Sequence, residues 1–352
     1  MSNFNKITRI MLSSIAASTL LAGCASTSKT GAKVGVGFSE KHLLPPILGM
    51  GDVDMVCNSS NALAPVIMAT QSMGADPTRM AVLLYAASGV CAENQALNAE
   101  LRYLRASKAG LVSEAQDARI EQKRWAAIAA ERQYTGYQLF AQRWQTKYKY
   151  KLGDSCPKMD PSLDQTVYLL GLVSGLQAMT NDISSGGQAH VPKDIAAIVE
   201  RSMTCLDNTE YWGAPEATRA VIWTLLPGAG DGKADPYQTL QQSMQLGEQK
   251  GVRLSHALNA VAAQASGDDG KIRAALRAYA ASTGEDKAIN PEFRLIDQMA
   301  GQMVKNIADR YWTEHTGVRA AEDGLSHFWD DQVTAGDDDW FEEVAEAPAA
   351  TQ

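Results

Sequence analysis

Positive charge is scarce in this sequence: 32 Lys and Arg face 40 Asp and Glu across 352 residues, a net charge of −8. Phosphate binding needs clustered cations, so a nucleic-acid partner is excluded. Histidine and cysteine number only five each. His42, His190, His256, His315 and His327 never lie within five residues of one another. No Cys or His pair has zinc-ligand spacing, so neither a metal nor a cofactor is expected. HExxH and GxSxG are both absent, which removes two familiar routes to hydrolysis. Long apolar runs are missing too. The longest after the N-terminus, Val167 to Met179, has 13 residues and contains Ser174 and Gln177; a membrane span needs about 20. What is left is an acidic, globular composition, 45% hydrophobic and 20% charged.

The N-terminus carries an address. Lys6 and Arg9 precede an apolar stretch from Met11 to Gly23, which ends in Leu21-Ala22-Gly23-Cys24. This resembles the lipobox of bacterial lipoproteins: an aliphatic residue, two small residues, then cysteine. The resemblance implies that 1–23 is a signal peptide and that Cys24 becomes the first residue, thioether-linked to diacylglycerol and further acylated. Ala25, where an Asp would imply inner-membrane retention, favours the outer membrane, with the body in the periplasm. With Lys6 and Arg9 removed, 30 cations face 40 anions. Residues 24–50, small and Gly-containing, are expected as the lipidated Cys and a flexible tether. Its Lys29, Lys33 and Lys41 read as solvated linker charges, with anionic lipid as the alternative.

Lipidation of Cys24 leaves Cys57, Cys91, Cys156 and Cys205, an even number suited to disulfides in an exported protein. Gly74 opens a turn, and Cys57 and Cys91 each lie 17 residues from it. Antiparallel helices rising from one turn bring such positions level. The spacing therefore favours Cys57–Cys91, and Cys156–Cys205 follows by elimination. Four free buried thiols are the alternative.

The body, 51–315, reads as helices. Six prolines stand where helices should begin: Pro77, Pro161, Pro192, Pro215, Pro236 and Pro291. Phe293, Ile296, Ala300, Met303, Ile307 and Tyr311 recur at helical spacing. Helices are predicted over 52–73, 77–107, 112–149, 162–181, 193–205, 215–226, 236–248, 252–266, 270–282 and 291–313. Short turns between them imply an all-α array of antiparallel helical hairpins, a degenerate tetratricopeptide-like bundle with a concave groove. Strand alternation is confined to 34–38. Gly171 and Gly175 share a helix face, and close helix packing explains them better than a ligand on bare backbone. The segment 316–352 ends in an acidic tail, Asp337 to Glu346, expected to be disordered, with Trp340-Phe341 as a candidate docking hook.

Candidate chemistry is sparse. Gly228 to Lys233 falls short of a phosphate loop, since Pro227 and Ala234 replace the first Gly and the final Ser or Thr. His256, on a predicted helix, suits a capping or surface role. Lys147-Tyr148-Lys149-Tyr150-Lys151 complements a helix C-terminus. Trp212, Arg219 and Trp223 form the densest aromatic cluster. An Arg against Trp is able to hold an organic anion, although packing with a snorkelling Arg is the plainer reading.

The layout resembles the T-component lipoproteins of TRAP transporters. It does so through Cys24, the long helices before residue 150, Val167-Tyr168-Leu169-Leu170, the segment Ile195 to Leu206 and Arg294-Leu295-Ile296. Glu131-Arg132-Gln133-Tyr134 matches the family's Arg- and Tyr-rich third helix loosely. The resemblance covers about 50–313. It implies a lipid-anchored, non-catalytic periplasmic binding protein, accessory to solute uptake. The implied partners are the membrane, a periplasmic solute-binding protein and copies of itself. A tetratricopeptide-like scaffold or pilotin for an outer-membrane machine is the alternative, and an envelope hydrolase comes third. The anchor is directly testable. Cys24→Ser is expected to accumulate as unprocessed precursor, while the wild type partitions into detergent; a wild type that remains aqueous after export contradicts the lipobox.

Overall fold

Proline and helical spacing place most of the elements. The computed structural model describes residues 29–160, 163–284 and 286–331, and all regular structure among them is helical. A run over 29–38 (α1) passes through a π-turn, Ser39–Leu43, into α2, Leu44–Leu48. Then come α3 (Val53–Ala69), α4 (Thr78–Lys108), α5 (Val112–Lys147), α6 (Leu163–Ser185) and α7 (Ile195–Met203). The chain continues with α8 (Ala214–Leu225), α9 (Pro236–Lys250), α10 (Leu254–Ser266), α11 (Asp269–Ala281) and α12 (Arg294–Thr316). Asp52, Asp235 and Asp268 each cap a helix by accepting from a backbone N–H three residues on, at 2.8, 2.7 and 3.1 Å. Cys24 with its lipobox, and the acidic tail with Trp340-Phe341, lie outside the described residues.

The long hairpin of α4 and α5 is the spine. At about 1.5 Å per residue the two helices are roughly 46 and 54 Å long. Their shared face is built from small residues, including Ala81, Ala92 and Ala99 on α4 and Ala118, Ala126 and Ala130 on α5, all buried. Small side chains let the backbones approach. Gly89 and Gly136 carry this furthest: a Cβ on Gly89 would come within 2.5 Å of the Gln133 side chain. Helix α6 lies on α5 by the same device. A Cβ on Gly171 would meet the Phe140 ring at 2.7 Å, and one on Gly175 the Tyr137 ring at 2.5 Å. Both glycines thus serve close packing.

Both disulfides form with the expected pairing. Cys57–Cys91 ties α3 to α4 across the Gly74 turn, with Cα atoms 5.5 Å apart. Cys156–Cys205 ties the loop after α5 to the end of α7, with Cα atoms 5.1 Å apart.

The array does not stay open. After α7 to α11 have stacked in sequence, α12 turns back onto α4. Arg310 pairs with Glu100 at 2.8 Å, Asn306 donates to Asn94 at 3.1 Å, and Arg105 and Lys108 donate to the carbonyls of Gly317 and His315. The expected concave groove is therefore closed, and the centre is filled by apolar side chains. Residues 317–331 fold back onto α11 and α12: Arg273 and Arg277 hold Asp330 and Asp331, and Trp329 stacks on His315.

The N-terminal segment departs most from expectation. Residues 29–48 are helical where a flexible tether was expected, and 34–38 is helix instead of strand. The cause is tertiary. Val36, Glu40 and Leu44, four residues apart, are all buried. Glu40 pairs with Arg79 of α4. Arg79 in turn reaches Asp164 at the start of α6, 3.4 Å away. Asp164 also accepts from Lys147 at 2.5 Å and from Tyr148, and lies 4.0 Å from Arg143. So Lys147 does close α5, but on a specific carboxylate.

This cluster makes stability sensitive to acid. Burial alone would raise the Asp164 carboxyl, but hydrogen bonds from Lys147 and Tyr148 and the charges of Lys147 and Arg79 hold it below its usual range. A depressed folded value contributes stability above the unfolded value, about 3.9, and loses it as pH falls through the folded one. Urea unfolding is expected to give steady stability above about pH 5 and a decline below about pH 4. Asp164→Asn should cost about 1–3 kcal/mol at pH 7, because it removes the shared carboxylate of the half-exposed Arg79 and Lys147, and should flatten the acid decline. An Asn variant as stable as the parent contradicts this account.

Candidate functional site

The aromatic cluster singled out by sequence is taken apart by the fold. Arg219 stacks over Trp223, its guanidinium carbon 5.0 Å from the ring centre. Its nitrogens are already engaged, by Glu200 at 3.1 Å and Glu216 at 2.7 Å. Trp223 donates to the same Glu200 at 3.1 Å, and Lys233 lies 3.8 Å from it. Burial would raise the Glu200 carboxyl, but Trp223, Arg219 and Lys233 together hold it low. Trp212 does not join them. It is buried against Phe293, ring centres 4.7 Å apart. Its backbone φ is +56°, and a Cβ on the next residue, Gly213 (φ +77°), would meet the Ser243 carbonyl oxygen at 2.4 Å. A bulky residue held in that conformation marks a tightly determined packing site. No charge remains here for an incoming anion.

His256 is likewise a core residue, not a surface one. It is 1% exposed, packs against Tyr279, and shares a hydrogen bond of 3.0 Å with Glu248. Burial lowers its pKa. Among the described residues no group of three His, Cys, Asp or Glu is placed to hold a metal ion.

Two hollows remain. The central one, of about 80 Å³, lies between α2, α3, α4, α6, α10 and α12. Its polar lining is limited to Ser60 and Gln177, and Ser60 donates to the Val56 carbonyl at 2.7 Å. The hollow is about half the size of the ~150 Å³ apolar cavity that accepts benzene. It has neither the room nor the charge for an organic acid.

The second hollow, of about 210 Å³, opens between α3, α4 and α5. Helical spacing assembles it. Asp54, Asn58 and Asn61 are successive turns of one face of α3; Cys91, Asn94 and Gln95 belong to one face of α4; Trp125 and Arg132, seven apart, share a face of α5. The Cys57–Cys91 bridge forms part of the wall and fixes α3 against α4. Arg132 is its distinctive group. One terminal nitrogen donates to Asn61 Oδ1 and to the Ser88 carbonyl, each at 2.9 Å. Among the described residues no carboxylate lies within ion-pair distance of it. Burial accordingly lowers the pKa of this guanidinium with no opposing charge. The nearby buried acid, Glu93, is engaged by Gln133 at 2.8 Å and Asn181 at 2.6 Å, and burial raises its pKa. Most Arg side chains of the body are paired; this one faces a hollow of amides and an indole with the Asp54 carboxylate also in its lining.

Arg132 was not marked as a site from sequence, though it belongs to the Glu131-Arg132-Gln133-Tyr134 segment. A signal existed. Its neighbours at three and four residues are Ile128, Ala129, Thr135 and Gly136, none of them acidic. Comparison with family models, curated proteins and solved structures finds no match.

The Arg219 cluster generates a test. Arg219→Ala is expected to lower stability by about 1–3 kcal/mol, since it leaves Glu200 partly buried without its main cation. Solute binding should stay unchanged. A variant that keeps full thermal stability but loses binding would restore the cluster as a site.

Proposed function

We propose that this chain is a lipid-anchored periplasmic binding protein, non-catalytic and accessory to solute uptake of the TRAP type, which takes a small carboxylate-bearing solute at Arg132. The observation that carries this reading is the half-buried guanidinium without a carboxylate partner. Arg presents paired N–H donors in a plane that matches a carboxylate. Around it, Asn58, Asn61, Asn94 and Gln95 supply amides for hydroxyl or carbonyl groups, and Trp125 supplies an apolar wall. Asp54 at the exposed rim disfavours a second negative charge there and suits an amine or hydroxyl. At about 210 Å³ the hollow lies below the ~300–1,000 Å³ of drug-sized sites, which points to a compact solute. The lipobox at Cys24 and the helical layout support the envelope location and the transport association.

A scaffold for an outer-membrane assembly is the second reading, favoured by the outer face of α3. Residues 55–73 contain no charged side chain, and Met55, Leu63 and Val66 of α3 are exposed.

Calorimetric titration of the detergent-solubilised protein with succinate, lactate, pyruvate, glutamate and N-acetylated amino sugars tests the proposal. Arg132→Gln is expected to weaken the best binder about 10- to 150-fold, the equivalent of about 1.5–3 kcal/mol. Arg132→Lys should recover part of this loss. Equal affinity in wild type and Arg132→Gln overturns the site.

A further inference from the structure

Helix α1 is built from residues that favour neither helix nor burial. Gly31, Gly35 and Gly37 fall within ten residues, and each interior Gly costs about 1 kcal/mol against Ala. Contacts on one side compensate. Val36, Glu40 and Leu44 face the body, and the Glu40–Arg79 pair ties them to α4. The opposite side has a different chemistry. Val34 and Phe38, one turn apart, are 65% and 56% exposed. Phe38 rests on the His42 ring, with centres 4.8 Å apart. A Cβ added to Gly31, Gly35 or Gly37 would meet nothing within 4 Å, so no described part of the chain covers this side. The exposed charges of the segment are of one sign: Lys41 lies on the side of Val34 and Phe38, Lys29 and Lys33 are exposed at the start of the helix on the side of Val36, and Glu40, the sole acid between 29 and 43, is turned inward onto Arg79.

The chain outside the described residues indicates what lies against this surface. Cys24 precedes Lys29 by five residues, and five residues reach at most about 18 Å. Acyl chains on Cys24 therefore keep the start of α1 within about 18 Å of the bilayer. An apolar ridge beside a lysine, on a segment whose other exposed charges are also lysines, is the chemistry of a helix lying on the headgroup layer. Each lysine near an anionic surface adds to the attraction.

We infer that α1 lies on the anionic bilayer surface, with Val34 and Phe38 toward the acyl boundary, Lys41 beside them on lipid phosphates, and Lys29 and Lys33 adding positive charge at the anchored end. This inference rests on the lipid-anchor reading of Cys24. It replaces a swinging tether with a rigid attachment: because Glu40 locks α1 to α4, the body takes one attitude to the membrane, and the Arg132 pocket a fixed bearing with it.

The test uses the full, processed protein in vesicles of phosphatidylcholine with 30% phosphatidylglycerol. A nitroxide is attached at Phe38→Cys, and in a separate control at Lys287→Cys in an exposed loop. Collision with oxygen and with a water-soluble nickel complex reads immersion. The label at 38 is expected to be shielded from nickel at least fivefold relative to 287 and enriched in oxygen contact. Replacing Lys29, Lys33 and Lys41 together by Gln should remove most of that shielding. A label at 38 as open to nickel as the control overturns the inference. So does dipolar broadening between labels at 38, which would mean that α1 packs on a second copy. The mass of the mature protein reports acylation independently. An acylated chain with an aqueous label leaves the anchor standing and removes only the seating of α1, whereas an unacylated chain removes the premise and the inference with it.

Discussion

A carboxylate withdrawn from water must be surrounded by cations or donors, and Asp164 obliges four elements to meet. It is 1% exposed and is reached by Arg79 of α4, by Arg143 and Lys147 of α5, and by Tyr148 just beyond α5. Through Arg79 the same cluster holds Glu40 and so the N-terminal helical run. Removing any one cation would leave the others facing an imbalance in a low-dielectric site. The position of α1, the turn between α5 and α6 and the foot of the long hairpin are therefore set together.

The rest of the body depends on that hairpin being narrow. Alanine and glycine on the facing sides of α4, α5 and α6 bring the backbones close, so that the rings of Tyr137 and Phe140 lie directly on glycines of α6. Close packing leaves little tolerance for polar groups, and Gln133, Glu93 and Asn181 meet it by hydrogen-bonding among themselves. Arg132 departs from this pattern. Its guanidinium has neutral acceptors and no carboxylate within ion-pair distance among the described residues, beside a hollow walled in part by the Cys57–Cys91 bridge. An uncompensated cation in a well-packed protein is an unusual retention. The proposed recognition of an anion rests on it.

Closure of the array changes what kind of binding surface is available. An open solenoid offers a long concave groove. Here α12 fills it by pairing with α4, and the remaining interior is too small and too apolar for a charged solute. The usable recesses are accordingly on the outside, between helix faces.

Most of the helical body was legible in the sequence. Proline and Asp caps mark helix starts locally, apolar periodicity marks the buried side, and the symmetry of Cys57 and Cys91 about Gly74 follows from the constant rise of a helix. Those signals act over one or two turns, which is the range sequence spacing describes. The misread parts depend on residues far away in the chain. Three glycines and alternating valines make 29–38 look like a linker or strand, until Arg79 supplies the ion pair that holds it as helix. Arg219 beside Trp223 looks like a free anion site, until Glu200, 19 residues earlier, occupies it. Arg132 could be seen to lack an acidic neighbour on its own helix, but its pocket exists because α3 and α4 bring Asn61 and Asn94 to it. The sequence by itself determined most of the helices and favoured the Cys57–Cys91 bridge, because both follow from helix geometry, and reached Cys156–Cys205 by elimination. The tertiary structure alone decided which charges were neutralised and which was left open, because a counter-ion is chosen by distance in space and not by distance along the chain.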